Sequence, residues 1–367
     1  MSSIARGEND TALLVHQAAV QLLRGLDVEG RLLRRDHSER FSTEVWSAVC
    51  EAGWLETLMP VSAGGLGLGM LELGSLFRAV GSELCDGPLF EHGVIVPLLF
   101  SAAPTAIQDR LRPAVAGKQV LAFVAAPGAR SEPGSTGPRI VDRRLGGTVL
   151  AVPFACQADL LAVVADNGGE PVVALIESGQ ATRSEVASAD PCVQYGSVSL
   201  DIDLLDVDVV LQDASAAKLI AKLEGATRLM IAAQLAGVVS RLTTMTVEYA
   251  KSREQFGRPI AGFQAIRHIL AQMAVAENSL QNLCDAVLSD ADGDPAQLPA
   301  LGRIAKTYAS ETARRTAENS LQLHGGIGYT SEHPLHLYFR RCLSLYGYMG
   351  EPSDLLIEIG EESLGSR

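Results

Sequence analysis

The sequence predicts an α+β fold, mainly α, in which a β-rich stretch lies between two helical ones. Apolar residues recur at helical spacing from Asp10 to about Gly117, and again from about Ala216 to the end. Between Lys118 and Asp213 they fall instead into short runs separated by Gly, Pro, Asp and Asn, the pattern of strands and turns. A length of 367 residues with 47% hydrophobic content supplies two or three cores. The expected domains are an N-terminal helical region, 1–117, a middle β domain, 118–215, and a C-terminal helical domain, 216–367.

In the first region Leu13, Leu14, Ala18, Leu22 and Leu23 share one helical face, followed by Val45, Val49 and Leu55. The glycine-rich stretch from Met59 to Gly69 interrupts the pattern and opens a helix around Leu71 to Val80. It has no Gly-Lys-Ser/Thr ending and no preceding strand, so it reads as a connector rather than a phosphate loop. The most apolar run, Val94 to Ala103, contains Pro97 and is shorter than the roughly 20 residues a membrane span needs. No transmembrane segment is expected. In the middle region Val120 to Val124, Gly147 to Val152, Leu160 to Val164, Pro171 to Ile176 and Val193 to Leu200 read as strands of a small antiparallel barrel or sandwich. In the last region Leu229, Ala232, Ala233, Ala236, Val239, Leu242 and Val247 form one stripe, and Ile266, Ile269, Leu270, Met273 and Leu280 the next, as in long antiparallel helices.

A net charge of −13 opposes a nucleic-acid partner, because phosphate binding needs a positive surface. The six cysteines are scattered, without a Cys-x-x-Cys pair or His groups at metal-ligand spacing, and read as reduced, mostly buried thiols. Charges at Arg6, Glu8 and Asp10 speak against a signal peptide, and the expected location is the cytoplasm.

Two motifs carry chemistry. Ser252-Arg253-Glu254-Gln255-Phe256-Gly257-Arg258-Pro259-Ile260 is followed by Phe263-Gln264, and about sixty residues on stands Gln322-Leu323-His324-Gly325-Gly326-Ile327-Gly328-Tyr329-Thr330. Taken singly, these are an exposed arginine, a core phenylalanine and a helix-ending glycine pair. As an ordered set they resemble the flavin-binding signature of acyl-CoA dehydrogenases. The helical, β, helical order matches that family's plan, and the resemblance implies a C-terminal four-helix bundle and FAD as cofactor. In the family the adenine and pyrophosphate end of the flavin reaches a neighbouring subunit. By that resemblance Arg253 would neutralise pyrophosphate, since a guanidinium presents a fork of donors to phosphate oxygens. Gln255 and Phe256 would lie beside it, Phe263 and Gln264 would line the adenine, and Gln322, Gly325 and Gly326 would let main chain approach the dinucleotide.

The other end of the flavin finds less. Phe123-Val124-Ala125-Ala126-Pro127-Gly128-Ala129-Arg130-Ser131 stands where the family has Thr-Glu-Pro-Gly-Ala-Gly-Ser-Asp, so a hydroxyl that bonds the ring is replaced at Ala125. By the same resemblance Ser131 would keep a contact to an acyl-CoA. Ala151-Val152-Pro153-Phe154 replaces Trp-Ile-Thr-Asn, which removes the stacking indole. The family's base, a glutamate in a Tyr-Glu-Gly segment, falls on Tyr348-Met349-Gly350, and its minority seat, just before the arginine corresponding to Arg228, is Thr227. Abstraction of an α-proton requires a carboxylate with a tuned pKa. Glu351, two residues past the usual seat, and Glu224, a helical turn before Thr227, are the remaining candidates.

The resemblance thus implies a flavin-dependent acyl-CoA dehydrogenase subunit similar to the base-lacking chain of α2β2 enzymes acting on steroid side-chain CoA thioesters. Its partners would be an acyl-CoA, a second dehydrogenase-like chain and an electron-transfer flavoprotein, and Arg228 would be a substrate contact. Two other readings stay open: a self-sufficient enzyme using Glu351 or Glu224, and a non-catalytic acyl-CoA-binding scaffold.

Overall fold

A computed structural model describes residues 3–34, 41–125 and 137–365, with the side chains of 3–9 and 34 excepted. Along the chain run helices α1 (Ser3–Gly25), α2 (Val28–Arg34), α3 (Thr43–Glu51), α4 (Met70–Ser82), α5 (Val96–Ala102) and α6 (Thr105–Val115). Strands β1 (Leu121–Val124), β2 (Arg139–Val141), β3 (Arg144–Pro153), β4 (Leu160–Asn167), β5 (Glu170–Glu177), β6 (Thr182–Val186), β7 (Tyr195–Asp203) and β8 (Asp208–Gln212) follow. Then come α7 (Asp213–Ser252), the two-residue strands β9 (Glu254–Gln255) and β10 (Arg258–Pro259), α8 (Gln264–Gly293), α9 (Leu298–His324), α10 (Leu335–Gly347) and α11 (Pro352–Gly365). The chain divides into two compact units, one of residues 1–37, 70–85 and 228–367, the other of residues 38–69 and 86–227.

The second unit is built on one sheet of order β6-β7-β3-β2-β4-β5-β8, with β1 against β4. It is mixed, not purely antiparallel as the turn pattern suggests, because β1 and β2 both run parallel to β4. The alternation in β7 buries Gly196, Val198, Leu200 and Ile202 on one face, while β1 is buried at every position. Such a continuous apolar run is what a strand covered on both faces requires. Short β2, β6 and β8 escaped the sequence pattern because their burial is slight. Fully buried His92 ties the helices of this unit to its sheet: its Nδ1 lies 2.9 Å from the Ala114 carbonyl, and its Nε2 accepts from the Leu121 amide at 3.0 Å. The ring is therefore neutral, and burial pushes its pKa down to about 4. The connector glycine Gly65 is tightly confined, the place of a Cβ lying 2.3 Å from the Met59 carbonyl.

The first unit is helical. At Gly81 and Gly237 an added Cβ would meet the Gln234 and Arg78 carbonyls at 1.9 Å, so α4 and α7 touch backbone to backbone. Helix α7 is long and apolar enough to cross a membrane, yet 78% of its apolar window is buried inside the protein. Every residue from Gly225 to Val239 is buried, so α7 is surrounded rather than striped. All six cysteines are free, four of them buried.

Candidate functional site

Both motifs of the sequence emerge at one end of the helical unit. Helix α7 stops at Ser252, the β9-β10 hairpin turns through Phe256 (φ 52) and Gly257 (φ 77), and α8 begins at Gln264. At the end of α9 the chain turns through Gly325 (φ 62) into a short helical turn, Gly325–Tyr329. Tyr249 near the end of α7 stacks on His324 at the end of α9, with ring centroids 4.3 Å apart, and its hydroxyl donates to the His324 carbonyl at 3.3 Å. Hairpin and glycine turn are thereby anchored together.

The side chains here face water. Arg253, Gln255, Gln264 and Gln322 are exposed, and Phe256 is 92% exposed. Phe263 is half-buried beneath the Arg258 guanidinium, 4.1 Å from the ring centroid, and meets Phe256 edge-on. Arg253 forms no ion pair among the described residues, although carboxylates abound in this acidic chain. Gly325 and Gly326 have nothing within 4 Å of where a Cβ would stand. An unpaired guanidinium beside open main chain and an exposed aromatic suits the phosphates and adenine of a dinucleotide. The residues present therefore fit that end of FAD.

The segment after α10 is built differently. Met349 is buried with φ 61, and Gly350 follows with φ 106. Buried Arg228 on α7 donates from Nε to the Met349 carbonyl at 2.9 Å. Lys306 on α9, 0% exposed, donates from Nζ to the Tyr346 carbonyl at 2.8 Å and the Gly350 carbonyl at 2.7 Å. Burial, reinforced by the Arg228 charge and opposed by Glu351, pushes the Lys306 ammonium down to about 7. Sequence reading passed over this residue. A lysine inside the stripe of Ala305, Ala309, Ala313 and Ala317 was the signal.

Glu351 is exposed, and its carbonyl accepts from the Asp354 and Leu355 amides at the start of α11. Glu224 is half-buried, a turn before Thr227, whose hydroxyl is occupied by the Leu223 carbonyl at 2.8 Å. In the sheet unit, Ala125 at the end of β1 and Ala151 on the β3 bulge are small and half-buried. Phe154 is 3% exposed and packs edge-on against Phe41, 5.8 Å between centroids. It belongs to the core. No side chain at positions 125, 151 or 154 can offer a hydrogen bond to a flavin ring. Ser131 and Ala126 lie outside the described residues.

An open groove of about 580 Å³ runs between α8 and α9, lined by Ala271, Val275, Ala276, Tyr308 and Thr312.

Residues 26–118 match the model of the acyl-CoA dehydrogenase N-terminal domain, and residues 218–364 that of the C-terminal domain. The chain is 30% identical to acyl-CoA dehydrogenase FadE27 of Mycobacterium tuberculosis, over 88% of this chain and 89% of that one. Among solved structures it is similar to a chain of the ChsE4-ChsE5 complex from Mycobacterium tuberculosis, at 26% identity and TM-score 0.84, covering 96% of this chain and 97% of that one. It is also similar to a chain of a variant of the Tcur3481-Tcur3483 steroid ACAD, at 25% identity and TM-score 0.85, covering 98% and 99%.

Proposed function

This chain belongs to the acyl-CoA dehydrogenase family, with FAD as its cofactor, and on that premise we propose that it is one subunit of a heteromeric, cytoplasmic enzyme. Its role is to supply the adenine and pyrophosphate half of a flavin site whose reacting end belongs to a second, dehydrogenase-like chain. FAD, when bound, accepts hydride from the β-carbon of a CoA thioester. Arg253 neutralises the pyrophosphate with Gln255 and Phe256 beside it, Phe263 and Gln264 line the adenine, and Gln322, Gly325 and Gly326 give main-chain approach to the dinucleotide. The partner supplies the base.

The observation that carries this reading is the state of position 349. A buried methionine, its main chain fixed by Arg228, cannot accept a proton. The absence of a side-chain hydrogen bond at Ala125, Ala151 and Phe154 supports it from the ring end. The names of the similar structures, a two-component complex and a steroid enzyme with two components, support a heteromer and a steroid side-chain CoA thioester as substrate class. An electron-transfer flavoprotein is the electron acceptor in this reading.

The test is flavin absorbance per chain, measured on the protein purified alone and again after co-expression with a dehydrogenase-like chain encoded beside it. The expected result is little flavin alone and one flavin per pair of unlike chains. About one flavin per chain alone, with bleaching by an acyl-CoA, makes the protein self-sufficient and returns Glu351 and Glu224 to consideration. Acyl-CoA copurifying without flavin, even beside the partner, makes it a scaffold.

A further inference from the structure

Burying an ammonium is costly, commonly by several kcal/mol even after relaxation. Lys306 is nevertheless 0% exposed and directs two of its donors to the Tyr346 and Gly350 carbonyls. Arg228, 5% exposed, directs its Nε–H to the carbonyl between them, that of Met349. Two buried cations, from two different helices, thus converge on three carbonyls of one five-residue stretch. That stretch leaves regular structure: α10 ends at Gly347, α11 begins at Pro352, and the link passes through two left-handed residues. A methionine in that conformation is disfavoured by roughly 1–2 kcal/mol, so the bend persists only because its surroundings hold it.

We propose that Lys306 is a positioning residue: with Arg228 it sets the main-chain bend at Met349–Gly350 and so fixes where the side chain at 349 stands. The placement of that side chain against an acyl thioester rests on the function proposed above; the clamp itself does not. The ammonium matters more than the bulk of the side chain, because a charged donor grips a carbonyl roughly twice as strongly as a neutral one. The charged and titratable groups about Lys306 are Arg228 from α7, Glu351 before α11, the Tyr346 hydroxyl at the end of α10, which donates to Glu311, and Arg303 on α9, paired with Glu358 and Glu362. Hydrogen bonding to Glu311 holds the Tyr346 phenol above its usual range, so it stays protonated below pH 9.

Hydrogen exchange of the full-length protein between pH 6 and 9, expressed as protection relative to the intrinsic rate, tests the proposal. The expected result is that protection of the 347–351 amides falls about tenfold as Lys306 loses its proton near pH 7, while α8 amides hold steady. Lys306→Met should show low, pH-independent protection at 347–351. Protection at 347–351 as high in Lys306→Met as in the wild type overturns the proposal, and where that variant does not fold, so does equally high protection in Lys306→Gln. So does a fall shared equally by α8 and α9, which would mean a packing role. Absent turnover in the assembled enzyme, with the local titration intact, would remove the proposed function and leave the clamp standing.

Discussion

The two phenylalanines that follow the motif positions, Phe256 on the hairpin and Phe154 after β3, make opposite use of the same side chain. Both adopt positive φ, 52 and 54. Phe256 is 92% exposed, beside an unpaired arginine and open glycines, whereas Phe154 is 3% exposed and locked against Phe41. The hairpin ring is left to solvent, and the β3 ring is closed into the core.

The sharpest way to break this comparison is Arg253→Ala combined with Gln322→Ala. Both residues are exposed, so the fold should lose no more than about 0.5 kcal/mol, while flavin in the co-expressed complex should drop at least tenfold by absorbance. Full flavin occupancy would falsify the dinucleotide assignment. Next in size, Phe154→Ala should destabilise the protein by about 3–5 kcal/mol in urea unfolding, against less than about 0.5 kcal/mol for Phe256→Ala. Equal effects would erase the distinction between the two rings.

A third contrast concerns protons. His92 has its pKa lowered by burial to about 4, from 6.5 in the unfolded chain, so below pH 6.5 the unfolded chain takes up a proton that the folded one refuses. Stability should decline as pH falls from about 6.5 to about 4, by roughly 3 kcal/mol if this group acts alone. Replacing His92 by Gln should flatten that part of a pH-stability curve; an unaltered curve would assign the acid sensitivity elsewhere. The smallest expected effect belongs to Glu351→Gln and Glu224→Gln, each leaving turnover of the assembled enzyme within about twofold. A loss of about a thousandfold in kcat for either would place the base on this chain.

Much of this was legible in the residues. The switch from helical to short β runs near Lys118 and back near Ala216 matches where the strands β1 to β8 begin and end, because side-chain periodicity is a local property. The parallel pairing of β1 and β2 with β4 was not legible, since pairing direction depends on where distant strands lie. The paired motifs at Arg253 and Gln322 were readable as a set, yet it is tertiary contact, the Tyr249-His324 stack and its hydrogen bond among them, that brings their ends together.

By itself the sequence determined the α+β class, the family signature and the methionine at 349, all of which are matters of order and spacing along the chain. The tertiary structure decided which residues lose water: it buried α7 on every side from Gly225 to Val239, enclosed Lys306 within the helices, and left Phe256 outside while taking Phe154 in. Burial is set by neighbours remote in sequence, and desolvation is what turns an ordinary lysine into a group that titrates near neutrality and grips main-chain carbonyls.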